Sequence, residues 1–183
     1  MARFIVRGGN PISGLFIPAG NKNAALPMLA ACTLTDEPVV LENVPMIEDV
    51  RAMLEMLDSL GVGVERRGHS VTLEAAGLRR NSIGPALCRL ARSSILFAGP
   101  MSAARGGVTL SLPGGDSIGR RRLDTHLLAL SALGVRIRAG PDRLSFRSAG
   151  LRGAAILLDE ASVTATENAM MAAVLAHGRT EIF

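Results

Sequence analysis

The 183 residues are 48% hydrophobic with a mean hydropathy of +0.31, enough for one domain with a proper core, which excludes a disordered chain. A formal charge of +4 and a pI near 10.3 invite a nucleic-acid reading, but with no Trp or Tyr and five Phe there is almost nothing from which to build base-stacking platforms, and small anionic substrates are favoured instead. A membrane partner is equally unexpected, because the longest nearly apolar run, Ala24 to Leu34, is too short and is interrupted by Pro27, and the N-terminus lacks a signal-peptide core, leaving the cytoplasm as the default.

In chain order, a short strand is expected at Leu15-Phe-Ile17, then an apolar helix opening at Lys22 and running to Ala31, then a strand from Val39 to Val44. Met53-Leu-Glu-Met-Leu-Asp-Ser-Leu-Gly-Val62 has apolar residues at helical spacing and a glycine stop. Gly63 to Leu73 reads as a hairpin turning at Arg67-Gly-His69. The pattern then returns: an apolar helix from Arg92 to Met101, a strand from Val108 to Leu112, a helix from His126 stopping at Gly134, and a hairpin from Arg136 to Phe146 turning at Ala139-Gly-Pro-Asp142. A third round begins with a strand at Ile156 to Leu158, a helix from Glu167 to Ala176, and a strand from Thr180 to Phe183. The repeat of about seventy residues is therefore strand, helix, strand, helix, hairpin, with two units complete and a third truncated. A chain stopping at Phe183 inside a strand reads as part of something longer. Cys32 and Cys88 stand apart, with no histidine cluster beside them, and are expected to be buried thiols rather than a disulfide or a metal site.

The stretch Leu112-Pro-Gly-Gly-Asp-Ser-Ile-Gly-Arg-Arg-Arg-Leu-Asp-Thr-His126 puts Asp116 on a glycine-rich turn followed by three arginines and a second acid. Glycines allow the backbone to approach a ligand closely, and successive amides in such a turn can form an anion nest. Arginine adds a planar, permanently charged fork suited to phosphate and carboxylate. The loop reads as an anion-handling device with a proton carrier in it.

Several separate motifs in order, namely Gly20-Asn-Lys-Asn-Ala-Ala-Leu-Pro27, Leu41-Glu-Asn-Val-Pro45, Arg92 ahead of Leu96-Phe-Ala-Gly-Pro100, Leu112-Pro-Gly-Gly115 with Ile118-Gly119, Asp124 with His126, and Ser162-Val163 with Ala165-Thr-Glu-Asn168, resemble those of the enolpyruvyl transferases through the whole chain. The branch that acts on shikimate 3-phosphate carries Lys-Ser where this chain has Lys22-Asn23, so the resemblance favours the branch whose acceptor is UDP-N-acetylglucosamine. It implies an α/β fold, an inside-out α/β barrel lobe built from repeated units with helices inside and sheets outside. It further implies a second, C-terminal lobe absent from this sequence, residues 1–20 packing with that lobe, and residues 21–183 forming the substrate-binding lobe.

The implied reaction transfers the enolpyruvyl group of phosphoenolpyruvate to the sugar 3-hydroxyl in the first committed step of peptidoglycan synthesis, and calls for no cofactor or metal. Since the absent lobe supplies the base and further arginines, this chain alone is expected to be inactive. Lys22 matches the lysine that contacts phosphoenolpyruvate, Asn23 a neighbouring substrate-binding position, and Arg92 and Arg121 substrate-site arginines; Asp116 takes the place of the loop cysteine that acts as general acid in most members. Arg122, Leu123, Asp124 and Thr125 fall in the stretch that contacts the uridine portion, and Ser162 and Val163 in a second nucleotide-contacting segment. Arg122 and Thr125 depart from the common Pro and Leu, and Glu160 and Thr164 from the common Lys and Gly. Read without the resemblance, Lys22 is an exposed lysine at a helix start, where a cation is locally unfavourable, and Asp116 is a turn aspartate capping its own backbone.

Overall fold

The computed structural model describes residues 3–114 and 122–183. The first helix, α1 (Lys22–Ala31), is capped by Asn21, whose side chain accepts the Ala24 N–H at 3.1 Å, and it buries Ala25, Leu26, Leu29 and Ala30. Pro27 lies inside it and has no N–H to give the carbonyl of Asn23, so that acceptor is left out of the helical ladder. After β1 (Val39–Leu41), Asn43 takes a positive φ of 54° and ends the strand earlier than the expected Val44. Helix α2 (Glu48–Leu60) starts before Met53, with Glu48 and Asp49 in its first turn where acids suit the dipole, and stops at Gly61, φ 95°.

The hairpin β2 (Gly63–Arg67) and β3 (Ser70–Glu74) turns through Gly68 at φ 63°, and β3 is flanked antiparallel by β1 and β2. Two elements absent from the sequence reading follow, β4 (Ser82–Ile83) and α3 (Pro85–Leu90). The segment expected as one helix from Arg92 to Met101 is instead a 3₁₀ turn, Arg92–Phe97, leading into α4 (Ala98–Arg105). Pro100 explains the join: it fits the first turn of a helix, where an N–H needs no partner, but not an interior.

Next come β5 (Gly107–Ser111), α5 (Asp124–Ala132), and the hairpin β6 (Arg136–Ala139) and β7 (Arg143–Arg147). They form a sheet of order β4-β5-β7-β6, in which β4 runs parallel to β5 and the other pairs are antiparallel. The last elements are β8 (Ala155–Ile156), α6 (Val163–Ala173) and β9 (Glu181–Ile182), with β8 parallel to β9. Helix α6 begins at Val163 rather than Glu167 because Ser162 caps it, its Oγ accepting Ala165 N–H at 3.3 Å.

The expected strand at Leu15–Ile17 does not form. These residues are 90%, 84% and 78% exposed, and among the described residues β1 has a sheet neighbour on one side only. An apolar tripeptide with no strand beside it and no surface over it has nothing to hold it extended. The core instead lies between the helices and the inward faces of the sheets: Leu29, Met53, Met56, Leu57, Phe97, Met101 and Phe146 are all fully buried. The inward residues alternate along the sheets, with Val71 and Leu73 on β3, Val108 and Leu110 on β5, and Leu144 and Phe146 on β7. Cys32 and Cys88 are buried free thiols; burial pushes Cys32 up to about 11 and also raises Cys88.

Candidate functional site

The first turns of α1, α2, α5 and α6 open onto one cleft of about 620 Å³. Each helix turns unpaired backbone N–H groups and the positive end of its dipole toward its start, so the convergence favours an anion before any side chain is counted. Lys22, Asn23, Arg92, Arg122, Ser162 and Val163 all line this cleft. The structure thus gathers residues separated by up to 141 positions in the sequence, Lys22 to Val163.

Lys22 Nζ lies 2.6 Å from Asp49 Oδ2 across the α1–α2 contact. The two side chains are 45% and 37% exposed, so the pair contributes on the order of 1 kcal/mol or less. An incoming anion can therefore exchange with Asp49 at small cost. Nothing local in the sequence marks Asp49 as a partner 27 residues from Lys22.

On the opposite wall, Arg92 Nη2 donates to the backbone carbonyl of Arg122 at 2.9 Å. Arg122 Nε in turn pairs with Asp124 Oδ2 at 2.7 Å, and its Nη2 is 3.9 Å from Asp159 Oδ2. The Arg122 hydrogen bond and charge hold the Asp124 carboxyl below its usual range, and Asp124 raises Arg122 reciprocally. Leu123 is half-buried against the core and does not line the cleft. Thr125 points inward, 2% exposed, with its hydroxyl donating to Asp159 Oδ1 at 2.7 Å.

Behind the cleft sits a buried polar junction. Asn168, fully buried, donates from Nδ2 to the Ile95 carbonyl at 2.9 Å and lies 3.1 Å from His126 Nδ1, while its Oδ1 accepts the Gly99 N–H at 2.7 Å. An amide NH₂ can only donate, so Nδ1 is the acceptor and the proton of the neutral ring is on Nε2, facing Thr164 Oγ1 at 3.2 Å. Burial, and secondarily the charge of Arg92, pushes His126 down to about 4, consistent with a neutral imidazole. His126 belongs to the motif with Asp124, and nothing in the local sequence marks its buried role. Glu167, also on the cleft, is raised by desolvation.

Asp116 and Arg121, the expected proton donor and substrate arginine, lie outside the described residues. The start of their loop is held closely: Gly114 N–H donates to the Cys88 carbonyl at 2.8 Å, and a Cβ on Gly114 would collide with the Arg89 backbone. Among the described residues no group of three His, Cys, Asp or Glu is placed to hold a metal ion, and no helix is long and apolar enough to cross a membrane. The arrangement suits an anionic ligand whose charges can be met by Lys22, Arg92 and Arg122, with Asp49, Glu160 and Glu167 on the same cleft as competing partners for those cations.

Residues 6–183 match the family model described as EPSP synthase (3-phosphoshikimate 1-carboxyvinyltransferase). The chain is 51% identical over 179 residues to a UDP-N-acetylglucosamine 1-carboxyvinyltransferase of Bradyrhizobium diazoefficiens, covering 97% of this chain and 41% of that protein. It is likewise 51% identical to the protein of the same name from Treponema pallidum, covering 100% of this chain and 43% of that one. The chain thus spans about two-fifths of the length of the curated relatives it matches. Among solved structures, the enolpyruvyl transferase NikO from Streptomyces tendae superposes with a TM-score of 0.77 at 22% identity, over 96% of this chain and 41% of that one. An EPSP synthase from Acinetobacter baumannii gives 0.73 at 21% identity, over 92% and 40%. At that identity these two establish the fold.

Proposed function

The chain belongs to the EPSP synthase (3-phosphoshikimate 1-carboxyvinyltransferase) family, and from that premise we propose that it is the nucleotide-sugar-binding lobe of an enzyme that transfers the enolpyruvyl group of phosphoenolpyruvate to the 3-hydroxyl of UDP-N-acetylglucosamine. The observation that carries this reading is the meeting of Lys22, Arg92 and Arg122 with Ser162 at the starts of the cleft helices. Three cations facing one cleft match a substrate pair that brings phosphate, carboxylate and diphosphate together. The identity to relatives named for that reaction supports the same acceptor.

In this reading the sugar 3-hydroxyl oxygen bonds to C2 of phosphoenolpyruvate while its methylene carbon takes a proton. The methylene is then restored by loss of a proton, the C2–O bond to phosphate breaks, and inorganic phosphate leaves. Asp116 serves as the proton donor, which requires its carboxyl to be kept protonated by a dry, closed loop. Lys22 and Arg121 hold the phosphoenolpyruvate anion, Arg92 orients the substrates, Asn23 uses its amide on them, and Arg122, Asp124 and the 162–163 segment receive the nucleotide, with Leu123 and Thr125 supporting them from behind. Residues 1–20 pack on a second lobe that supplies the base and further arginines, so turnover needs both lobes. The lobe formed by residues 21–183 is one of repeated units, helices inside and sheets outside, working in the cytoplasm in peptidoglycan synthesis.

The alternative acceptor is shikimate 3-phosphate, favoured by the description of the matching family model and opposed by Asn23 in place of serine. Isothermal titration of this chain separates the two. UDP-N-acetylglucosamine is expected to bind and shikimate 3-phosphate to give no heat; the reverse result would overturn the proposal.

A further inference from the structure

Two segments face each other at the rim of the cleft, 122–126 leading into α5 and 159–164 leading into α6. Among the described residues no backbone hydrogen bond joins them. Their polar ties are made by side chains. Thr125 Oγ1 donates to Asp159 Oδ1 at 2.7 Å and lies 3.4 Å from Glu160 Oε1, Arg122 Nη2 is 3.9 Å from Asp159 Oδ2, and Thr164 Oγ1 accepts from His126 Nε2 at 3.2 Å. A hydroxyl has a single hydrogen, so Thr125 serves the nearer carboxylate, Asp159. At 2% exposure its side chain is turned away from any ligand in the cleft and can act only through what it holds.

What it holds is the wall that carries Ser162 and Val163. The wall carries little packing of its own, with Val163 72% exposed and the adjoining Leu157 74% exposed. The hydroxyls of Thr125 and Thr164 make these bonds, and a leucine or glycine at either position could not. Thr125, Arg122, Glu160 and Thr164, which looked like unrelated departures along the sequence, meet across one gap in the fold.

We propose that Thr125 and Thr164 are positioning residues that fasten the 159–164 wall to the first turn of α5, and that this fastening sets how tightly the acceptor nucleotide is held. The statement rests on the acceptor reading given above. A loose wall has to be ordered when the ligand arrives, whereas a fastened one has already lost that freedom, and the difference appears as affinity.

The test uses this chain with Thr125→Val, Thr164→Val and the hydroxyl-preserving Thr125→Ser and Thr164→Ser. Amide hydrogen exchange of residues 159–163 is read without ligand, and the Kd for UDP-N-acetylglucosamine is read by calorimetry. Each valine variant is expected to speed exchange in the wall and weaken binding by roughly three- to tenfold, the scale of one hydrogen bond, with serine restoring both. Thr164 is exposed, so its valine variant decides the matter if Thr125→Val fails to fold. Unchanged exchange, or faster exchange with unchanged Kd, or serine variants that behave like valine, each overturns the proposal. A wild-type chain that does not bind the nucleotide sugar overturns the acceptor reading and the affinity claim together, and is distinguishable from failure of the fastening because the exchange arm needs no ligand.

Discussion

The side-chain amide of Asn168 on α6 lies 3.1 Å from His126 Nδ1 on α5, and through this contact one fully buried residue fixes the proton of the imidazole on the nitrogen that faces the cleft. The same side chain accepts a hydrogen bond from the Gly99 N–H of α4 at 2.7 Å and donates one to the Ile95 carbonyl at 2.9 Å. Four packed elements, α4, α5, α6 and the 3₁₀ turn, therefore share one set of hydrogen bonds. Asn168→Ala removes all of them at once and leaves the groups buried without partners, at a cost of about 3 kcal/mol. A urea midpoint within error of wild type would contradict the arrangement.

His126 makes stability depend on pH in a defined sense. Its folded pKa is lowered to about 4 from an ordinary 6.5 by burial and by Arg92, so the unfolded chain binds a proton that the folded chain refuses. The contribution is fully present above pH 6.5 and is lost progressively as pH falls toward 4, by at most about 3 kcal/mol. Subtracting the profile of His126→Gln isolates this effect from that of Glu167, whose raised pKa acts in the opposite sense. Urea midpoints at intervals between pH 7.5 and 4.5 should fall more steeply for wild type than for the variant; parallel profiles would show that His126 titrates normally.

Gly114 anchors the loop that holds Asp116. A methyl group there meets the Arg89 backbone, which has no freedom to retreat because Cys88 beside it is packed in the core. Gly114→Ala should cost roughly 1–3 kcal/mol by overpacking and weaken ligand binding through displacement of the loop. Crystallographic or exchange data showing an undisturbed 112–114 segment in the variant would count against this.

Lys22→Met keeps the length of the side chain while removing its charge. Loss of one charge-assisted contact predicts phosphoenolpyruvate binding weaker by roughly ten- to a hundredfold, with thermal stability little changed because the ion pair to Asp49 is half exposed. Fluorescence or calorimetric titration with phosphoenolpyruvate reads the first quantity, a melting curve the second. Equal affinity in the variant would remove Lys22 from the site.

The carboxylate of Asp116 is a far poorer nucleophile toward an epoxide than the thiolate that most of the resembling enzymes place there. An enzyme carrying this loop is expected to resist fosfomycin, and Asp116→Cys to acquire sensitivity together with a covalent adduct visible by intact-mass measurement. Adduct formation on the unaltered loop would refute the assignment.

How far the sequence alone could be read depended on whether the governing interaction was local. Helix α1 matched its expected bounds from Lys22 to Ala31 because its apolar spacing and the Asn21 cap are encoded within a few residues. Both hairpins were legible from their turn residues. The 3₁₀ turn ahead of α4 was not, although Pro100 is local, since the packing there also involves the approach of Gly99 to Asn168, 69 residues away. The strand at Leu15–Ile17 had the right composition but no neighbour. Motif resemblance named Lys22, Arg92 and Ser162, which line one cleft, whereas Asp49 and the inward turn of Thr125 emerge only when distant segments meet.

The convergence of helix starts on the cleft bears on how such a protein changes over generations. An attraction written into the backbone cannot be deleted by a point substitution, so the hold on a charged ligand survives while the side chains at the rim are exchanged. Those side chains belong to first turns and caps, and the residues that hold the helices in place, such as Leu29, Leu57 and Met101, lie further along or on other faces. Ligand choice and foldability are thereby inherited on overlapping but distinct sets of residues: Lys22 and Ser162 can be revised with little penalty to the fold, whereas His126, which serves both, cannot.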